Sequence, residues 1–160
     1  MNTVQLPDAL KTALVFSAMK ATDVEEVLAI ENDAFPFPWS RGNFLDSLVS
    51  AYPAWVLRDA DQRLTGYFLL MSAVDELHIL NITVRPDLQG KGIGRLLLNK
   101  VMALARESKM QSILLEVRPS NVHALAVYLH AGFVQIGVRK NYYPNGTEKR
   151  EDAIVMRLPL

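Results

Sequence analysis

The chain has 160 residues, with 17 basic and 17 acidic side chains and no cysteine. A chain of this length is expected to form one domain. Without cysteine there are no disulfides, thiolate metal sites or cysteine nucleophiles, and the zero net charge disfavours a dedicated nucleic-acid binder, which usually has a basic excess. No apolar run approaches the roughly 20 residues of a membrane span. We therefore expect a soluble, cytoplasmic, monomeric protein with neither nucleic acid nor membrane as a partner.

The start of the chain predicts a short extension followed by the domain. Residues 1–12 carry no clear pattern and are interpreted as an N-terminal extension, with the domain covering residues 13–160. The apolar run from Leu14 to Met19 lacks a basic leader, so it predicts a first strand and not a signal peptide.

Two helices are predicted next. Thr22 and Glu25 have the spacing of a capping box, and a stripe with helical periodicity follows as far as Glu31. The prolines of "AFPFPWS" end this helix, because proline cannot continue it. Ser40 is positioned to cap a second helix that runs to about Leu48.

The remaining elements are mostly strands. The patterns predict strands at Ala54–Arg58, Gly66–Ala73, Glu76–Val84 and Ser112–Val117, a helix from Ile93 to about Lys109, a helix capped by Ser120 or Asn121 and stopped by Gly132, and a final hairpin turning at Asn145-Gly146. The strand "ELHILNITV" is apolar on both faces and is therefore expected to be central. This order predicts an α+β (or α/β) fold, with a single mixed, mostly antiparallel, twisted sheet flanked by about four helices.

The loop "VRPDLQGKGIGR" lies between a predicted strand and a predicted helix. In this context, backbone N–H groups and a helix N-terminus can bind phosphate. The loop is not a Walker A motif, because Gly92 follows the Gly-Lys pair where Ser or Thr is required, and Arg95 replaces the third glycine of the dinucleotide fingerprint. The pattern that remains is Gln89-x-x-Gly92-x-Gly94, and the structural alternative is an ordinary glycine-rich turn.

Together with the preceding "NITVRPDLQG", this pattern resembles the acetyl-CoA pyrophosphate loop of the GNAT superfamily of N-acetyltransferases. The segments "LLEVRPSNVHALAVYLHAGF", "ENDAFPFPWS", "RKNYYP" and "REDAIVM" resemble the ribosomal-protein alanine N-acetyltransferases (the RimI type), over about residues 14–159. The resemblance implies a GNAT fold and an acyltransferase that uses acetyl-CoA as cosubstrate and no metal. It also implies a substrate, the N-terminal alanine of small-subunit ribosomal protein eighteen.

Acetyl transfer from a thioester to an amine requires a base for the amine and a proton donor for the departing thiolate. Glu116 interrupts an otherwise apolar strand, and Tyr128 lies on the inward face of the following helix. These two residues match the family's catalytic base and proton donor. The structural alternatives are a strand-end glutamate paired with Arg118 or Arg85, and an ordinary core tyrosine.

The resemblance also implies the cofactor-binding residues. The end of the fourth strand would hold the acetyl and pantetheine end, with the Val84 N–H as oxyanion donor, and the loop would hold the pyrophosphate. Asn121 would contact the cofactor, although it could equally be a simple helix cap. The full set is Ile82, Thr83, Val84, Gln89, Gly90, Lys91, Gly92, Ile93, Gly94, Arg95, Asn121 and Tyr128.

The peptide groove is expected between the loop after the first helix and the final hairpin. The candidate substrate-binding residues are Glu31, Phe35, Phe37, Trp39, Tyr142 and Tyr143. The alternative for the aromatic residues is core packing, and for Glu31 it is a helix-end charge turned to solvent. His78 is interpreted as a core-strand histidine, and His123 and His130 as helix-surface residues.

Two other functions stay open at this stage. The first is an acetyltransferase that acts on another amine, such as an internal lysine, a polyamine or a small molecule. The second is a sensor that binds acetyl-CoA without catalysis, for which Glu116 and Tyr128 would both be unnecessary. For an enzyme, direct transfer in a ternary complex is expected, because the sequence offers no cysteine and no visible Ser-His pair for an acyl-enzyme.

Overall fold

The structure is a computed structural model that describes residues 13–160, so the predicted extension of residues 1–12 lies outside the described residues. The described elements are β1 (Val15–Ala18), α1 (Val24–Ala34), α2 (Arg41–Val49), β2 (Ala54–Arg58), β3 (Leu64–Ala73), β4 (Glu76–Val84), α3 (Ile93–Glu107), β5 (Ser112–Val117), α4 (Val122–Ala131), β6 (Val134–Pro144) and β7 (Arg150–Pro159). Within this range, no helix is long and apolar enough to cross a membrane.

The strands form one mixed sheet in the order β1-β2-β3-β4-β5-β7-β6. Strand β4 pairs in parallel with β5, from Glu76 opposite Ser112 to Ile79 opposite Leu115. The β1–β2, β2–β3, β5–β7 and β6–β7 pairs are antiparallel. The predicted fold class and the central position of β4 are confirmed.

The chain divides into two compact units, and the first runs to Met71 and includes Asn81–Lys100. Helix α1 supplies part of its core through its buried apolar stripe, and α2 contributes Phe44. This core contains Met19, Val24, Val27, Ile30, Phe44, Ala54, Val56, Leu64, Tyr67 and Leu69. Burying one large apolar side chain contributes about 1.5–3 kcal/mol, so this cluster holds the helices on the sheet.

The predicted cap of α2 is confirmed and that of α1 is wrong. The Ser40 hydroxyl accepts a hydrogen bond from the Asn43 N–H at 3.1 Å, which satisfies one free donor at the start of α2. Thr22 instead lies within a short 3-10 turn, Ala21–Asp23, that precedes α1. The Asp23 carboxylate accepts from the Lys20 N–H at 2.8 Å there.

Gly66 marks a close approach within the first unit. A Cβ atom at this position would lie 2.9 Å from the Thr83 carbonyl oxygen and 3.1 Å from the Leu97 side chain. Only glycine therefore allows α3 to pack this closely on β3 and the end of β4.

The second unit comprises Ser72–Leu80 and Val101–Leu160. Its helix α4 ends where predicted, because Gly132 adopts a left-handed conformation, with φ of +106°. The buried apolar side chains of this unit are Leu77, Ile79, Val101, Ala105, Ile113, Leu115, Val117, Tyr128, Phe133, Ala153 and Met156.

The β6–β7 hairpin is irregular in two places. The register shifts between Gln135 and Gly137, and again between Arg139 and Tyr143. Arg139 pairs with Ala153, and the next pair is Tyr143 with Glu151. Between these pairs β6 advances by four residues and β7 by only two, so β6 carries two extra residues. A bulge of this kind bends a strand and redirects its side chains.

Candidate active site

The glycine loop offers backbone N–H groups at the start of α3. Gly90 and Gly92 have φ values of +77° and +92°, which disfavour any residue with a Cβ, although nothing lies within 4 Å of the added atom. The Leu96 N–H donates to the Gly92 carbonyl at 3.3 Å, so the N–H groups before Leu96 have no partner within the helix. The loop therefore fits a phosphate group.

The end of β4 is tied to this loop. The Gln89 side-chain amide donates to the Val84 carbonyl at 3.3 Å. The Val84 side chain would lie 3.8 Å from a Cβ at Gly94, so the two segments are adjacent. Lys91 and Arg95 are exposed, which leaves their charges accessible to an anion.

Glu31 forms a buried polar cluster in the first unit. Its carboxylate accepts hydrogen bonds from the Tyr67 hydroxyl at 2.7 Å, the Asn81 side-chain amide at 2.9 Å and the Trp39 N–H at 3.1 Å. The Thr83 hydroxyl in turn donates to Asn81. Glu31 is only 2% exposed, so the alternative of a charge turned to solvent is wrong.

Tyr67 remains a donor in this cluster at any physiological pH. Its burial, followed by the negative charge of Glu31, raises the pKa of Tyr67 far above its usual range. The sequence shows that Glu31 lies on an apolar stripe. The groups that donate hydrogen bonds to its carboxylate, however, come from β3, β4 and the loop after α1. These partners are distant in sequence, so no local pattern indicates them.

The aromatic loop after α1 is partly packed. The Trp39 ring lies 5.2 Å from the Phe44 ring and packs against the core of the first unit, which supports the core-packing alternative for this residue. Phe35 is half-buried, whereas Phe37 is 39% exposed. Phe37 is therefore the most exposed of the three aromatic residues of this loop.

Glu116 is held by an ionisable partner in the second unit. Its Oε2 atom lies 2.5 Å from Nε2 of His78, and the Arg139 guanidinium lies 3.5 Å from Oε1. The Glu116 side chain is 10% exposed. The predicted alternative named Arg85 as a partner, but that guanidinium binds Asp87 at 2.7 Å.

The sequence interpretation of His78 as a plain core histidine missed this pair. The parallel register places His78 opposite Leu114, which is two residues before Glu116. Alternate residues of a strand share a face, so His78 and Glu116 lie on one face of the sheet. The register between β4 and β5 was the missing information, because neither strand shows it alone.

The hairpin brings aromatic and basic groups to the same face. Glu116 pairs with Val155, Arg139 with Ala153, and Tyr143 with Glu151. Because these three β7 partners alternate along the strand, their opposite residues on β5 and β6 face the same way. Tyr143 is therefore on the face that carries Glu116.

Tyr143 is enclosed more than its neighbour Tyr142. The Arg118 guanidinium stacks 4.3 Å from the Tyr143 ring centre and donates to the Pro144 carbonyl at 3.0 Å. Burial, and next the negative charge of Glu116, raise the pKa of Tyr143 well above its usual range. Tyr142 is 43% exposed, and its ring centre lies 4.9 Å from that of Tyr143.

Helix α4 carries the predicted acid and its own cap. Tyr128 is buried, as predicted, and burial raises the pKa of its hydroxyl well above the usual range, so the group keeps its proton at neutral pH. The Asn121 side chain accepts from the Ala124 N–H at 3.2 Å, which confirms the cap. His123 and His130 are exposed on this helix, as predicted.

No metal centre is assembled in the part of the chain that the structure describes. Among residues 13–160, no group of three or more His, Asp or Glu side chains could hold a metal ion. The first unit thus offers a phosphate-compatible backbone loop, and the second unit offers a carboxylate with an imidazole partner and the buried Tyr128.

Comparison with known proteins assigns these features to a class of acyl-transferring enzymes. The sequence profile of the Acetyltransferase (GNAT) family matches residues 24–133, and the chain belongs to this family. The resemblance inferred from its motifs is confirmed, and the protein is an acetyltransferase.

Two curated relatives and one solved structure are similar over most of their length. The [ribosomal protein bS18]-alanine N-acetyltransferase of Escherichia coli strain K12 is 35% identical over 144 residues, 90% of this chain and 96% of that protein. The protein of the same name from Haemophilus influenzae is 36% identical, over 89% of this chain and 96% of its own. The crystal structure of the ribosomal-protein-S18-alanine N-acetyltransferase from Escherichia coli has a TM-score of 0.83 and 35% identity, and covers 91% of this chain and 93% of its own.

Proposed function

We propose that this enzyme transfers the acetyl group of acetyl-CoA to the N-terminal α-amino group of alanine in ribosomal protein bS18. The observation that carries the proposal is the similarity to bS18-alanine N-acetyltransferases over 90% of the chain. That similarity spans the elements that bear Glu116, Tyr128 and the hairpin tyrosines, and is not limited to a cofactor loop.

Acetyl-CoA binds through its pyrophosphate at the N–H groups of residues 90–94 and the N-terminus of α3. Lys91 and Arg95 add positive charge beside the same loop. The acetyl and pantetheine end lies along Ile82–Val84, with the Val84 N–H donating to the thioester oxygen as negative charge develops on it. The bound cosubstrate supplies the activated acetyl group.

Glu116 acts as the base for the incoming amine, either directly or through a water molecule. His78 holds the Oε2 atom at 2.5 Å, and Oε1, whose cationic neighbour Arg139 is 3.5 Å away, is the oxygen that takes the proton. The α-amino group has a pKa of about 8, so a tenth or so of it is already neutral at pH 7. Its nitrogen attacks the thioester carbonyl carbon, and the proton that it loses passes to Glu116.

Tyr128 serves the leaving group. As the new C–N bond forms and the C–S bond breaks, the CoA sulfur takes a proton from the Tyr128 hydroxyl. Burial keeps this hydroxyl protonated at neutral pH, so the donor is present when the thiolate departs. Glu116 and Tyr128 then return to their starting protonation states by exchange with solvent.

The peptide is recognised by the aromatic loop and the hairpin. Phe35 and Phe37 contact it from the loop, and Tyr142 and Tyr143 from the hairpin. Glu31 acts on this surface through Trp39, because its buried carboxylate fixes the Trp39 N–H.

A competition experiment tests the proposal. The enzyme and acetyl-CoA are incubated with one peptide that begins with a free alanine and lacks lysine, and a second that has a blocked N-terminus and one internal lysine. Mass spectrometry is expected to find acetyl groups on the alanine peptide alone. Acetylation of the lysine peptide alone would assign a side-chain amine, and acetylation of neither, with tight acetyl-CoA binding, would favour a small-molecule acetyltransferase or a sensor.

A further inference from the structure

The bulge in β6 leaves backbone groups outside the sheet ladder. The segment between Arg139 and Tyr143 is out of register with β7, and Asn141 has a positive φ of 52°. A non-glycine residue in this conformation costs about 1 kcal/mol or more unless its surroundings hold it. The bulge therefore needs partners from elsewhere in the hairpin.

Two charged side chains of β7 supply those partners. The Arg150 guanidinium donates to the Asn141 carbonyl at 2.8 Å and to the Tyr142 carbonyl at 3.1 Å. The Asp152 carboxylate accepts from the Asn141 N–H at 2.9 Å and from the Lys140 ammonium at 3.2 Å. Three of these contacts hold the backbone of the bulge at Asn141 and Tyr142, and the fourth holds the Lys140 side chain.

The residue between them ties the other face of β7 to the start of α4. Glu151 accepts from the Ser120 N–H at 2.9 Å and from the Ser120 hydroxyl at 3.0 Å. It also lies 3.8 Å from Arg118, whose guanidinium stacks on the Tyr143 ring. Glu151 pairs directly with Tyr143 across the hairpin.

We infer that Arg150, Glu151 and Asp152 form a positioning clamp for the acceptor side of the site. The clamp fixes the bulge that carries Tyr142 and that places Tyr143 on the face of Glu116, and so sets the affinity for the peptide. This inference rests on the proposed function. The proposed mechanism gives none of the three residues a contact with the reacting atoms or the cofactor, so their effect is expected on the peptide and not on the chemistry or on acetyl-CoA.

The test uses charge-matched variants of the full chain. Arg150→Gln is compared with Lys149→Gln, which removes the same charge one residue earlier, and Asp152→Asn with Glu148→Gln at the exposed hairpin tip. For each protein, KM is measured separately for the alanine peptide and for acetyl-CoA, together with kcat. Amide hydrogen exchange of residues 139–146 is followed by mass spectrometry on the same samples.

Both clamp variants are expected to raise KM for the peptide about tenfold, the equivalent of losing one net charge-assisted hydrogen bond. KM for acetyl-CoA should stay within about twofold, exchange in residues 139–146 should accelerate, and the two control variants should resemble the unmodified enzyme. Faster exchange with an unchanged peptide KM would overturn the positioning role, and unchanged exchange would overturn the clamp itself.

The measurements also separate this inference from the proposed function. If the unmodified enzyme does not acetylate the alanine peptide, the proposed function fails by that result alone. The clamp is then decided by the exchange rates and by KM for the amine that the enzyme does accept, with the same expected changes.

Discussion

Two glutamates interrupt apolar stretches of this chain, and they differ in exposure and in the groups that contact their carboxylates. Glu31 in the first unit is 2% exposed and is surrounded by donors that do not titrate near neutral pH: a hydroxyl, an amide and a backbone N–H. Glu116 in the second unit keeps 10% of its side chain exposed and has an imidazole and a guanidinium as partners.

The difference indicates that one glutamate has a structural role and the other a catalytic role. Fixed neutral donors satisfy a carboxylate and hold neighbouring segments together, which is a structural task. A carboxylate that keeps some access to solvent can be reached by a substrate or a water molecule, as a general base must be. The contrast therefore predicts a large effect on turnover at Glu116 and a large effect on stability at Glu31.

Removing the charge of Glu116 should have the largest effect on turnover. Glu116→Gln keeps the size of the side chain and removes the base, so kcat is expected to fall about 10²- to 10⁴-fold. The affinity for acetyl-CoA, measured by calorimetry, should not change. Glu107→Gln, at the exposed end of α3, is the control. Unchanged turnover in Glu116→Gln would rule out the role of base.

Removing Glu31 should lower stability. Glu31→Ala leaves the Tyr67 hydroxyl and the Asn81 amide buried without their acceptor, so the free energy of unfolding is expected to fall by roughly 2–4 kcal/mol. Urea denaturation measures this change. The exposed Asp33→Ala is expected to change it by less than about 0.5 kcal/mol. Equal losses in the two variants would remove the distinction drawn between the glutamates.

Replacing His78, the imidazole partner of Glu116, should have an intermediate effect on turnover. His78→Leu removes the donor at similar volume, and kcat is expected to fall about tenfold, as for loss of one hydrogen bond to a charged group. His78→Gln, which can still donate, should retain more activity than His78→Leu. Steady-state kinetics with His123→Gln as surface control checks this order, and equal kcat in all three variants would contradict it.

A third glutamate, Glu151, extends the comparison to a carboxylate that is 15% exposed and is held mainly by one serine, and here the effect should be smallest. The Ser120 hydroxyl, and next the Ser120 N–H, lower the pKa of Glu151. A lowered pKa stabilises the folded state above the unfolded value of about 4.3, and this stabilisation is lost as the pH falls through the lower folded value.

Unfolding of the unmodified protein and of Glu151→Gln by urea, measured from neutral to acidic pH, tests this direction. The unmodified protein should be more stable at neutral pH, and the two should converge as the pH falls below about 4. A difference that does not vary with pH would mean that the charge of Glu151 does not contribute.

The elements of the fold could be predicted from local signals. Ser40 and Gly132 mark helix ends through their own chemistry, and the strands β2, β4 and β5 have the predicted bounds. The cap at Thr22 failed because a 3-10 turn competes for the same residues, and turns of this kind have no distinct sequence pattern.

Site residues could be predicted only where a residue departs from the sequence pattern of its own strand or helix. Glu116 and Tyr128 each depart from the pattern of a single strand or helix, so they could be singled out as candidates. The partners His78, Tyr67 and Asn81 become visible only with the sheet register, which depends on packing across the fold. The arrangement of Arg150 and Asp152 around the bulge was hidden for the same reason.

The bulge in β6 has a second consequence, for the behaviour of the protein in concentrated solution. Strand β6 is at the end of the sheet order, and an exposed edge strand can pair with another molecule. The shift in register after Arg139, the charge of Lys140 and the proline at 144 interrupt the outer half of this edge. The irregularity that positions Tyr142 and Tyr143 therefore also discourages edge-to-edge aggregation. Loss of the bulge would both weaken peptide binding and expose a regular edge strand, so selection against either outcome would preserve it.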